Sequence, residues 1–330
     1  MHARHAVFRR HAASLVCAAV VSVAFAMPSA AADDYPNRPV TFITPAAAGN
    51  SPDVATRFIA DRLGAVWKQQ IVVMNKPGAG GLLAAQAAST VTPDGYTLYM
   101  TQASTFTVLP ITQAEKAGPL LKTFVPIALI AEQPIAVSVS PKLPVKTVAE
   151  LIDYIKKQPQ TVQFAASNRG GQSHLTGELF ARKAGVKMTY IHGPSAATSV
   201  TDVTAGRIPV MFEGIAGVAG AMQGGSVRVI GVGSGKRLSN YPDIPTIGET
   251  LPGFESQGWI MLMAPAGTPD AIVQKVATDL RGIVEQPDVA QKFATIGTYP
   301  HWLGPADSAA YIKKQEDQWW PLVREVGVKR

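Results

Sequence analysis

"ITPAAAGNSPDVATRFIADRL", Ile43 to Leu63, starts as a buried strand, breaks at a loop of small residues and resumes with a helical apolar rhythm. Val40, Phe42 and Ile43 form the β-prone run before the break, while Val54, Phe58, Ile59 and Leu63 recur at helical spacing after it. The local chemistry predicts a helix start at Ser51: a hydroxyl to cap, Pro52 suited to the first turn and Asp53 to complement the positive end. Unpaired amides at such a start form an anion site. An ordinary βα turn uses the same residues, so the loop alone leaves both readings open.

The same design recurs in "VQFAASNRGGQSHLTGELFARKAG", Val162 to Gly185, with a strand, a Gly/Ser loop from Ser167 to Ser173, and a helix whose apolar side holds Leu175, Leu179 and Phe180. Around these two units, "QQIVVMN", "GYTLYMTQAS" and "FVPIALIAEQPIAVSVS" read as strands and "VAELIDYIKKQ" as an amphipathic helix. Strands alternating with helices predict an α/β protein with mostly parallel sheets flanked by helices. The pattern restarts after about residue 160, which predicts two lobes whose strand-end loops point into one cleft.

Composition narrows the class. The chain has 330 residues, 47% hydrophobic and 16% charged, enough to build two sizeable cores. Residues 1–32 read as an export signal: Arg4, Arg9 and Arg10, then "ASLVCAAVVSVAFA", then small residues for cleavage near Ala32 or Asp33. That apolar run is too short to span a bilayer, and nothing later reaches about 18 uninterrupted apolar residues. Without the signal the chain keeps 27 basic and 23 acidic residues, a balance of +4 with no basic block, so nucleic acid is not an expected partner. The single cysteine, Cys17, lies in the signal, which excludes thiol catalysis, disulfides and cysteine-bound metals from the mature chain.

Other motifs fail on spacing. "KPGAGGLL" places Leu83 where a dinucleotide fingerprint needs its third glycine after Gly78 and Gly80. Ser173 and His174 suggest a hydrolase, but a nucleophile elbow needs glycine at the position of Leu175. The mature chain has only His174, His192 and His301, none spaced as paired ligands, so neither a metal nor a cofactor is expected. "DQWWPL" reads as a packed aromatic helix terminus, with Pro321 opposing continuation.

The segments "YPNRPVTFITP", "NKPGAGG", "PDGYTL", "FVPIALIA", "SHLTGELF", "MLMAPAGTPDAIV" and "VREVGVK" occur in order from Tyr35 to Lys329. In these the chain resembles the substrate-binding proteins of tripartite tricarboxylate transporters, the Bug proteins. The resemblance implies a monomeric, non-enzymatic periplasmic protein with a type II-like binding-protein fold. It would close two lobes on a small di- or aromatic carboxylate and deliver it to one large and one small integral-membrane subunit. The implied division is residues 33–133 plus 259–330 as one lobe and 134–258 as the other, with strands crossing near "IAEQPIAV" and "GWIMLMAP". A secreted hydrolase acting on a carboxylate ester or amide, and a sensor without a transporter, are the rival expectations.

The resemblance also assigns the two loops to opposite lobes, where amides and hydroxyls hold the carboxylate. Departures stand out at "AAAGN", with Asn50 where a second glycine is usual, and at Arg169, in a place normally small or Asn. "HGPS" puts His192 and Ser195 in place of an aromatic and a lysine, and Glu213 with Gly214 replaces an acidic "DN" pair. The expected ligand-binding set is Ala47, Ala48, Gly49, Asn50, Ser51, Asp53, Ser104, Thr105, Ser167, Asn168, Arg169, Gly170, Ser173, His174, His192, Ser195 and Glu213.

Overall fold

A computed structural model describes residues 34–167 and 169–327. The expected export signal and Asn168 lie outside the described residues.

Among the described residues ten strands form: β1 (Val40–Thr44), β2 (Ile71–Asn75), β3 (Thr97–Gln102), β4 (Phe124–Val139), β5 (Val162–Ser167), β6 (Met188–Gly193), β7 (Val210–Gly214), β8 (Arg228–Val232), β9 (Gln257–Pro265) and β10 (Tyr299–Leu303). In the first lobe β1 lies parallel between β2 and β3. In the second, β5 lies parallel between β6 and β7. The remaining pairings are antiparallel and run through β4 and β9, so the sheets are mixed and the parallel trios form their outer parts.

β4 is the strand that makes two lobes from one chain. Its first half pairs with β9 and β10, and its second half, from Ile135 to Val139, with β7 and β8. Ile127 to Ala131 are all buried, as a strand covered on both faces requires. The return crossing lies at Ser256, just ahead of the expected "GWIMLMAP"; β9 itself stays within the first lobe, between β3 and β4. There the Gly233 amide donates to the Ile135 carbonyl at 2.7 Å, and the Ser256 amide to the Gly233 carbonyl at 2.8 Å. A Cβ at Gly233 would sit 2.2 Å from the Ser256 carbonyl oxygen, so this close approach of three chain segments requires glycine.

Each sheet is packed on both faces. In the first lobe Ile59, Leu63, Leu98, Ile260, Leu262 and Val276 fill one side, and Tyr99, Phe106, Phe124, Trp259 and Met261 the other. In the second, Leu151, Phe164, Leu175, Phe180 and Phe212 oppose a layer of Val203, Met211, Ile215 and Val218. The expected helix stripe of Leu175, Leu179 and Phe180 is buried.

The helix Pro305–Val326 departs from the sequence reading, because it runs through Pro321 instead of ending there. Proline removes one main-chain donor. Pro321 points outward, while the adjacent Trp319, Leu322 and Val323 are buried in the second lobe's core. The start of the same helix is tied to the first lobe, where the Leu129 amide donates to Ser308 Oγ at 2.8 Å. The last turns therefore pack outside the lobe to which residues 259–330 were expected to belong.

Candidate functional site

Both loops lie at the carboxyl ends of parallel strands, the first after β1 and the second after β5. The first is built around a buried carboxylate. Asp53 accepts hydrogen bonds from the Gly49 amide at 2.8 Å, Asn75 Nδ2 at 2.7 Å and Arg57 Nε at 3.1 Å. Burial alone would push this acid up; the bonds from Asn75, Gly49 and Arg57, with the Arg57 charge, hold it below the usual aspartate range. Asn75 Nδ2 also donates to the Ala46 carbonyl at 2.9 Å, which fixes where the loop leaves β1.

The helix cap falls one residue earlier than Ser51. Asn50 has extended dihedral angles, and its Oδ1 accepts from the Asp53 amide at 3.0 Å, while Ser51 is the first helical residue. Asparagine wins because its side-chain carbonyl reaches the donor from an extended backbone. Gly49 turns through φ +83°, a region open to glycine, and nothing lies within 4 Å of where its Cβ would be. Ala47 and Ala48 are exposed, and their amides have no acceptor among the described residues. They sit beside the positive end of the 17-residue helix Ser51–Trp67.

The end of β3 adds to this group. Thr105 is fully buried, with Ser104 beside it half-buried. A Cβ at Gly81 would meet Thr105 Oγ1 at 2.5 Å and Pro45 at 3.6 Å, which places the end of the β2 loop between the other two. Among the described residues Thr105 Oγ1 and Gln102 Nε2 are buried without a partner, and so is Gln172 Oε1 at the start of the second lobe's helix Gln172–Ala184.

The second loop is also built on a buried carboxylate, with different donors. Glu213, near the end of β7, accepts from the Ser167 amide at 2.5 Å and from the hydroxyls of Ser167 at 3.0 Å, Ser173 at 3.1 Å and Ser199 at 3.3 Å. Burial raises its pKa, and the bonds from the three serines only partly oppose that rise. Each hydroxyl carries one proton, so while Glu213 is ionised these serines have none left to offer another carboxylate. Ser199, in the helix Ala196–Ala205, was not anticipated from the sequence; Ser195 caps that helix, its Oγ accepting from the Thr198 amide at 3.2 Å.

His174 is engaged with its own loop. The Gly170 amide donates to Nδ1 at 2.9 Å, which leaves the ring proton on Nε2, 3.4 Å from Glu178. Ser173 faces Glu213 and not this histidine, so the neighbouring pair lacks the contact a nucleophile and base require. The Arg169 and Gly171 amides find no acceptor among the described residues. The exposed Arg169 guanidinium lies 5.0 Å from the centre of the Tyr190 ring, whose hydroxyl is 3.0 Å from His192 Nδ1. Burial raises the Tyr190 pKa, with Arg169 opposing and Glu213 adding. Tyr190 was missed in the sequence, although its alternation with His192 along β6 was the signal.

The structure thus gathers Ala47 to Asp53 with Thr105 in one lobe, and Ser167, Gly170, Ser173, His174 and Glu213 in the other. Arg169 and His192 meet through Tyr190, and Ser195 stands at its own helix start.

Known proteins share this architecture. BugT of Bordetella pertussis is 30% identical over 90% of this chain and 92% of its own. The structure of Rpa4515 from R. palustris with adipate has a TM-score of 0.75 at 28% identity, covering 90% of this chain and 99% of that one. MatC from Rhodopseudomonas palustris with bound malate has a TM-score of 0.68 at 27% identity, covering 88% and 100%. The sequence profile of the tripartite tricarboxylate transporter family receptor matches residues 55–328. The two-lobed α/β chain with paired strand-end loops belongs to that receptor family, whose members are periplasmic solute-binding proteins and not enzymes.

Proposed function

We propose that this receptor captures a small di- or aromatic carboxylate between its lobes and hands it to a large and a small membrane subunit of a tripartite transporter. It works in the periplasm as a monomer after loss of residues 1–32, with residues 33–133 and 259–330 as one lobe, except that the last turns of the terminal helix pack into the other, 134–258. The observation that carries the reading is the set of unengaged donors at the two strand-end loops. The amides of Ala47 and Ala48 occupy one lobe, and the amides of Arg169 and Gly171 with the Arg169 side chain the other. The adipate and malate held by two relatives support carboxylate chemistry.

In this reading Asp53, His174 and Glu213 shape the loops, and the ligand meets main-chain amides and Arg169. A few charge-assisted bonds of about 1.5 to 3 kcal/mol each offset the ordering cost and leave micromolar affinity, about 8 kcal/mol. A thermal-shift panel of aliphatic and aromatic mono- and dicarboxylates tests it. At about 100 times its dissociation constant a ligand stabilises by about 2.7 kcal/mol, a rise of a few degrees. No shift with any carboxylate would overturn the reading. Lobe closure is tested by solution scattering, where a saturating ligand should reduce the radius of gyration.

A further inference from the structure

Away from the strand-end loops, a cavity of about 780 Å³ opens between the helix Ala114–Leu121 and the helix Pro305–Val326. Phe106, Phe124, Ile312 and Trp320 form its apolar wall. The wall is held in shape, since Trp320 Nε1 donates to the Phe106 carbonyl at 3.1 Å. The cavity is a half-open groove on the surface, within the size range of ligand pockets. Lys122 and Arg324 border it, both exposed, and among the described residues neither is held in an ion pair. The one acid in the lining is Glu316.

We propose that this cavity is a second ligand site, for a free amphipathic monocarboxylate with a medium-length acyl or aryl body. The apolar part lies on the Phe106, Phe124 and Trp320 wall, and the carboxylate faces Lys122 or Arg324. Glu316 disfavours a second negative charge, so this site selects against the dicarboxylates proposed for the interlobe loops. An occupant braces the terminal helix, which also carries Trp319, Leu322 and Val323 into the second lobe's core.

Decanoate is the probe, titrated into the signal-free chain by calorimetry and tryptophan fluorescence. Gly118→Trp blocks the cavity at little cost to the fold, because a Cβ at Gly118 meets nothing within 4 Å. Arg324→Glu reverses a border charge on an exposed side chain. We expect one saturable site, weakened at least about tenfold by Gly118→Trp and several-fold by Arg324→Glu, and not displaced by adipate. Melting curves establish that both variants remain folded. The proposal is overturned by an absence of saturable binding at millimolar decanoate, by equal affinity in wild type and both variants, by displacement with adipate, or by binding to phospholipid vesicles without binding to free decanoate.

Discussion

The two strand-end loops solve one problem with opposite electrostatics. Each is organised by a buried carboxylate, Asp53 in the first lobe and Glu213 in the second. Asp53 is met by an amide, an asparagine and the Arg57 cation, and its acidity is strengthened. Glu213 is met by one amide and three hydroxyls, with no cation among its bonded partners, and its acidity is weakened. At Asp53 the bonds from Asn75 and Gly49 outweigh desolvation, with the Arg57 bond and charge adding to them, whereas at Glu213 desolvation exceeds what the serine bonds return. The comparison also separates groups that shape a site from groups left free to bind.

The harshest way to break the comparison is Glu213→Ala, which strands an amide and three hydroxyls around a void. It should cost about 3 to 5 kcal/mol, read as a lower urea midpoint, and damage the second lobe's loop far more than the first. Next comes Arg169→Ala, which tests whether the second lobe supplies from outside the charge that Glu213 lacks within. Calorimetry should show a dicarboxylate weakened by about 1.5 to 3 kcal/mol with little change in melting temperature. Affinity equal to wild type would leave Arg169 as a partner of Tyr190 alone.

Asp53→Asn should cost about 1 to 2 kcal/mol near neutral pH, since an amide cannot accept from every donor now facing the carboxylate. Its folded pKa is depressed, so Asp53 contributes stability above about 3.8, the ordinary aspartate value, and loses it as pH falls through the lower folded value. The gap between wild type and Asp53→Asn should therefore close in strong acid. Glu213→Gln is the gentlest change, about 1 kcal/mol, because the amide oxygen can keep the Ser167 amide while the hydroxyls rotate. Here the sign reverses: the folded pKa is raised, so Glu213 erodes stability as pH rises above about 4.5, the ordinary glutamate value. Melting curves across weak acid should slope downward in wild type relative to Glu213→Gln; parallel curves would remove the electrostatic contrast between the lobes.

What could be read from the sequence follows from the range of the interactions. Strands, helix starts and the repeated strand–loop–helix unit were legible because apolar spacing and caps act within a few residues. The cap at Ser51 was misplaced by one position, which periodicity does not resolve. The partners of Glu213 were beyond reach: Ser167 is 46 residues away, and only the packing of β5 against β7 brings them together. Pro321 misled for a related reason, since local propensity predicts a stop while Trp319, Leu322 and Val323 on either side of it are buried by distant residues.

The passage of the terminal helix into the second lobe also sets an order of events during synthesis. The second lobe's strands are all made by about residue 232, yet its core waits for Trp319, Leu322 and Val323 near the end of the chain. A ribosome must therefore release nearly the whole polypeptide before that lobe can close. Domains ordinarily fold as they emerge. For a family whose members work in the periplasm, such a delay would leave the chain available to export machinery until its last helix is made.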